Sequence, residues 1–172
     1  MHNLFFLAIP LLMSVAAGCN SQPLKTVPNV DLEQYAGKWY EIASFPQRFQ
    51  KGCHGTTAEY TLSDKGYVIV ENRCRKCSMT GPESSIRGKA FVEKNSNNAK
   101  LTVQFFWPFR GKYWIIDLAD DYSFAVVGHP NRQYLWILSR TPRMDAETYR
   151  GILAKLERQY FDLSKLQMTP QL

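Results

Sequence analysis

A chain of 172 residues that is 45% hydrophobic, 13% aromatic and 21% charged has globular composition at a length that usually forms one domain. Intrinsic disorder and collagen-like repeats are excluded. The 21 Lys and Arg against 15 Asp and Glu give a formal charge of +6, but the cations are scattered, with no basic block or recognition-helix pattern, so no nucleic-acid partner is expected. Anionic ligands or lipid head groups suit that charge better, and a basic surface that is simply solvated is the plainer reading.

Residues 1–18 contain no Lys, Arg, Asp or Glu, and their apolar run from Leu4 to Ala17 is too short and too early for a spanning helix, so it reads as an export signal. The run ends Val15-Ala16-Ala17-Gly18-Cys19, and Asn20-Ser21-Gln22-Pro23 follows as a polar spacer. This resembles the lipobox of bacterial lipoproteins, although Ala16 stands where that family usually has Leu and no Lys or Arg precedes the run. The resemblance implies a lipoprotein signal peptide at 1–18, lipidation of Cys19 with diacylglycerol and a further fatty acyl chain such as palmitate, and an anchor and spacer at 19–29. Two or three acyl chains at about 0.8 kcal/mol per buried methylene hold a protein on a membrane permanently. By that family's habit, Asn20 after the cysteine implies the outer membrane.

In the remaining chain, Asp31 is placed to cap a single helical turn that Gly37 ends, with a strand from Lys38. Eight β-prone runs then recur: Trp39–Ala43, Thr56–Leu62, Tyr67–Asn72, Ile86–Val92, Leu101–Phe106, Tyr113–Ala119, Phe124–Gly128 and Tyr134–Arg140. Turn-forming residues separate them, as in Ser63-Asp64-Lys65-Gly66, Asp120-Asp121 and His129-Pro130-Asn131. After Pro142 the period changes: Tyr149, Ile152, Leu153, Leu156 and Tyr160 recur at helical spacing behind a cap at Asp145. Phe161–Leu166 reads as a short final edge strand.

Eight antiparallel strands can form a sandwich, but closure into a barrel removes the exposed edges and leaves room for one small ligand. An eight-stranded antiparallel up-and-down β-barrel with a C-terminal α-helix packed outside is therefore expected. Strand side chains alternate between its two faces, so taking Trp39 as inward places Ala58, Val70, Asn72, Ile115, Trp136, Leu138 and Arg140 inside, with Glu41 on the same parity. Tyr40, Ile42, Leu135 and Ile137 then face out, toward the helix.

Gly37-Lys38-Trp39-Tyr40, Asp121-Tyr122 with Phe124–Val127, and Leu135–Pro142 resemble, in order, the three sequence blocks of the lipocalin family. The resemblance spans Val30 to about Leu166, within a predicted domain at 30–172, and looks most like the bacterial outer-membrane lipocalins and their animal relative apolipoprotein D. It implies a structural role for Gly37, Trp39 and Arg140, the guanidinium lying over the indole to close the narrow end of the barrel, a contact worth about 0.5–2 kcal/mol. It also implies that Tyr60, Tyr113 and Trp136 belong to the ligand-binding wall, beside the residues that parity supplies.

The expected function follows: a membrane-anchored lipocalin that binds, stores or transports a fatty acid or lysophospholipid in the bacterial cell envelope, lipid-anchored at the outer membrane on the periplasmic side. An aromatic hairpin, Phe105–Arg110, would form a lip at the open end, with Arg48, Lys51, Lys76, Phe109 and Arg110 at the mouth for an anionic head. The alternative is a structural envelope lipoprotein whose barrel is filled, with a lipocalin-fold enzyme behind it. Monomer and homodimer both remain open.

Cys53, Cys74 and Cys77 are an odd number for an oxidising compartment, so one bridge and one spare thiol are expected. Cys53 and Cys74 flank the Asp64 turn symmetrically and are favoured, whereas a bulge at Gly66 would bring Cys77 opposite Cys53. Cys53, His54, Cys74 and Cys77 have the content of a zinc site, but adjacent strand residues point to opposite faces, so no metal is expected. No nucleophile-elbow, HExxH, phosphate-cradle or dinucleotide motif occurs, so neither a cofactor nor an enzyme is expected.

Overall fold

The computed structural model describes residues 22–171. The predicted leader at 1–18 and Cys19 lie outside them. A short helix, α1 (Leu32–Tyr35), precedes eight strands: β1 (Gly37–Ser44), β2 (Cys53–Leu62), β3 (Val68–Lys76), β4 (Glu83–Val92), β5 (Lys100–Gln104), β6 (Gly111–Leu118), β7 (Phe124–Gly128) and β8 (Leu135–Ser139). Then come α2 (Ala146–Arg158) and a two-residue strand, β9 (Gln167–Met168). Each strand pairs antiparallel with the next, β8 pairs with β1, and β1 pairs back onto β2, so the sheet closes into a barrel.

Asp31 caps α1 by accepting from the Glu33 and Gln34 amides, and Asp145 caps α2 through the Thr148 amide. The two faces of the strands build two cores. Trp39, Tyr60, Val70, Leu101, Ile115, Val127 and Leu138 fill the interior with Tyr35. Outside, Ile42, Ile116, Val126, Leu135 and Ile137 receive Ile152 and Leu156 of α2 together with Phe161. The predicted parity therefore sorts these residues correctly, because the pleat reverses each successive side chain.

The strands differ from expectation mainly at one end. β2 begins at Cys53 rather than Thr56, β3 runs to Lys76 rather than Asn72, and β4 begins at Glu83 rather than Ile86. Those extensions are polar and lack an apolar pattern, and pairing with neighbouring strands brings them into the sheet. The expected final strand at Phe161–Leu166 is not formed. Phe161 packs in the outer core, Leu163–Lys165 make a 3-10 turn capped by Asp162, and pairing begins only at Gln167.

β1 pairs with β2 only over Gly37–Tyr40, after which the two strands diverge. The C-terminal tail fills that gap. The Thr169 amide donates to the Ile42 carbonyl, the Gly55 amide donates to the Pro170 carbonyl, and the Gln171 amide nitrogen donates to the Glu41 and Thr56 carbonyls.

Candidate functional site

In an up-and-down barrel, alternate connections share an end. One end is sealed. Trp39, with no exposed surface, donates its indole N–H to the Tyr35 carbonyl at 2.9 Å. The Arg140 guanidinium carbon lies 3.8 Å from the centre of the Trp39 ring, and the group donates to the Lys38, Gln34 and Tyr122 carbonyls. Gly37 sits at φ +91°, a conformation that favours glycine, directly beside the Arg140 guanidinium. Asn97 and Asn98 donate to the Pro28 and Val30 carbonyls, stitching the entering chain across this end.

Above the seal the interior wall is aromatic. The hydroxyls of Tyr35, Tyr113 and Tyr60 form a chain, 2.7 Å from Tyr35 to Tyr113 and 2.8 Å from Tyr113 to Tyr60. Burial pushes the Tyr60 hydroxyl up to about 12, and burial with the mutual repulsion of ionised rings pushes Tyr35 and Tyr113 well above the usual tyrosine range. These phenols are neutral hydrogen-bonding groups at any physiological pH. The apolar pocket beside them, lined by Leu32, Tyr60, Val68, Ala90, Leu101 and Tyr113, has only about 10 Å³ of free volume, room for about one water.

The upper wall is more open. Ala58, Asn72, Val103, Phe105, Tyr113 and Trp136 all remain partly exposed, and Ala58 lies directly across from Asn72 on paired strands. Phe105 can lean over this wall because Gly88 faces it, where a Cβ would meet the ring at 2.7 Å. At the mouth a cleft of about 430 Å³ runs between the β1–β2 connection and the C-terminal tail, bordered by Glu41, Ser44, Gln47, Arg48, Lys51 and Thr169. Glu41 is buried, and its carboxylate accepts from Ser44 Oγ at 2.9 Å, Gln50 Nε2 at 2.8 Å and Thr169 Oγ1 at 2.6 Å. Gln50 also accepts from the Trp136 indole at 3.4 Å, tying the wall to the mouth. The buried Gln47 amide has no partner among the described residues for either its nitrogen or its oxygen.

The structure thus brings Ala58, Tyr60, Val70, Tyr113, Ile115 and Trp136 onto one inner surface, with Asn72 among them. The mouth set divides. Arg48 and Lys51 border the cleft, and Phe109 is exposed on the rim. Lys76, the last residue of β3, lies at the same end, its ammonium 3.2 Å from Cys53 Sγ and donating to the Lys51 carbonyl at 3.4 Å. The expected placement of Arg110 in the mouth is corrected, since its guanidinium stacks 5.3 Å from the centre of the Phe91 ring on the outer wall. Arg110 shares the outward parity of Lys112, and a cationic plane gains more over an aromatic face than in open water.

Cys53 and Cys74 form the bridge, and Cys77 is free and exposed. The pair is diagonal. The register that starts at Leu62 opposite Val68 would set Cys53 opposite Cys77, and the irregularity between His54 and Thr57 moves it by one, to Lys76. No group of metal-binding side chains is found among the described residues. Tyr35, Gln50 and Thr169 are not among the residues expected in the site, and Phe105, expected in the lip, packs against the inner wall. Tyr35 lies on a helical turn where strand parity has no meaning, and the others depend on contacts across the fold.

The model of the lipocalin-like domain matches residues 30–171. The chain is a lipocalin. This lipocalin is 41% identical over 157 residues to temperature-induced lipocalin-1 of Arabidopsis thaliana, covering 86% of the chain and 83% of the relative. It is 42% identical over 139 residues to the outer membrane lipoprotein Blc of Escherichia coli K12, covering 81% and 78%. Bovine apolipoprotein D is 34% identical over 152 residues, with 83% and 78% covered. Among solved structures, insecticyanin from the tobacco hornworm superposes with a TM-score of 0.69 at 22% identity, covering 87% of this lipocalin and 85% of that chain, which bears on fold alone.

Proposed function

We propose that this lipocalin binds a single-chain amphiphile, a fatty acid or lysophospholipid, and stores or carries it while anchored by a lipidated Cys19 to the outer membrane. The observation that carries the reading is the upper interior, an apolar and aromatic wall that is incompletely covered and is tied through Trp136 and Gln50 to a mouth where Arg48 and Lys51 border a cleft. The alkyl chain lies against Ala58, Phe105 and Trp136, gaining about 25 cal/mol per Å² of apolar surface buried, and the anionic head sits at the mouth. Asn72 and the Tyr113 hydroxyl supply polar anchors along the way. Relatives named outer membrane lipoprotein support the location.

The small free volume beside the tyrosines favours a second reading, a structural lipoprotein with a filled barrel. On the carrier reading the chain stops above Tyr60 and Tyr113, or turns those rings aside. Native mass spectrometry of the protein purified from its own envelope, with extraction of bound lipid, separates the two. A co-purifying fatty acid or lysophospholipid is expected, with a fluorescent acyl probe losing about tenfold in affinity on Trp136→Ala as an aromatic wall is removed. An empty protein that takes up no probe establishes the filled barrel.

A further inference from the structure

The path of the entering chain fixes which end of the barrel meets the membrane. Val30 lies at the sealed end, where its amide donates to the Asn97 carbonyl. Eight residues earlier, Gln22 is at the other end: its carbonyl accepts from Arg132 in the β7–β8 connection, and the same guanidinium donates at 2.6 Å to the Gln159 carbonyl at the end of α2. Cys19 is three residues before Gln22, and an extended chain of that length reaches about 11 Å. A lipid on Cys19 therefore holds the mouth, rather than the sealed end, within that distance of the bilayer.

The rim is built for such a surface. Phe49 is 66% exposed, Phe106 67%, Trp107 85% and Phe109 77%, and all four lie in connections at the mouth. The four connections at this end carry no carboxylate and leave Arg48 and Lys51 at the cleft, with Arg132 holding the entering chain and Arg110 laid over Phe91, whereas those at the opposite end carry Asp64, Glu93, Asp120 and Asp121 against Lys65 and Lys94. Exposed aromatic rings settle at the interface between lipid and water, and cations near them match anionic head groups.

We infer that the open rim of the barrel, led by Trp107 with Phe49, Phe106 and Phe109, docks on the anionic bilayer that holds the Cys19 anchor, so that an amphiphile passes between leaflet and barrel without entering bulk water. The inference rests on the reading of Cys19 as lipidated. Its test uses the full chain produced as a lipoprotein, with the acyl mass on Cys19 read first by mass spectrometry. The protein is then reconstituted in vesicles of phosphatidylethanolamine and phosphatidylglycerol bearing brominated acyl chains. Tryptophan emission is expected to be strongly quenched, and Trp107→Phe is expected to abolish most of that quenching. A tryptophan placed at the far end by Asp120→Trp, in the Trp107→Phe background, is expected to stay bright. Absence of the acyl mass overturns the anchor and the orientation together. An acylated protein that floats with the vesicles, yet is quenched equally with and without Trp107, overturns the docking alone. A concentration-dependent dimer with Trp107 unquenched gives the rim to a second copy and likewise overturns it.

Discussion

Arg140 shows how one side chain can serve several elements at once. Its guanidinium covers Trp39 and donates to carbonyls from α1, β1 and the β6–β7 connection, so three separate segments end on a single cation. Arg140→Ala removes the ring contact and strands those carbonyls, and a loss of about 2–4 kcal/mol is expected in urea unfolding, with ligand uptake retained at the far end. The tyrosine chain sets a second residue-scale expectation. Because the folded state holds the Tyr60 hydroxyl up near 12 while an unfolded tyrosine ionises near 10, the unfolded chain loses its proton first. This contribution is complete below about pH 10 and is lost as pH rises toward 12, at up to about 1.4 kcal/mol per pH unit for the one group. Tyr60→Phe should flatten that alkaline limb, as measured by denaturant titrations at successive pH values.

Among the elements, the C-terminal tail does more than its two-residue strand suggests. It lies in the slot where β1 leaves β2, contributes the Thr169 hydroxyl to buried Glu41, and bridges the strands through Gln171. Truncation after Leu166 leaves Glu41 with only Ser44 and Gln50 and removes the acceptor of the Gly55 amide. A loss of about 2–4 kcal/mol is expected, with hydrogen exchange rising first at Gly55. α2 is the simpler case, since its Asp145 cap and its apolar stripe suffice to predict its start and its outward position, although Tyr160, expected on the stripe, lies past its end at Arg158 and is exposed.

At the scale of the whole molecule, the barrel is polarised. The sealed end concentrates hydrogen bonds and carboxylates, and the mouth concentrates exposed rings and cations. The proposed binding wall and the proposed docking rim thereby fall at the same end, and the stabilising seal is remote from both. This separation is the reason Arg140→Ala is expected to change stability while Trp136→Ala changes ligand affinity.

Strand parity, turn chemistry and the helical period are local and periodic, so the sequence alone determined the eight strands, the outer helix and the inward face that carries Ala58, Val70 and Ile115, while Tyr60 and Tyr113 came from the family resemblance. Even Cys53 with Cys74 was legible as the favoured pair, although the ladder puts them diagonally rather than in register. Only the tertiary structure decided that Arg110 turns out onto Phe91, that Tyr35 completes the hydroxyl chain and that residues 167–171 fill the slot beside β1. The reason is physical. Those outcomes depend on which groups meet across large separations in the chain, and no short-range pattern encodes the meeting of Thr169 with Glu41 or of Arg132 with Gln22.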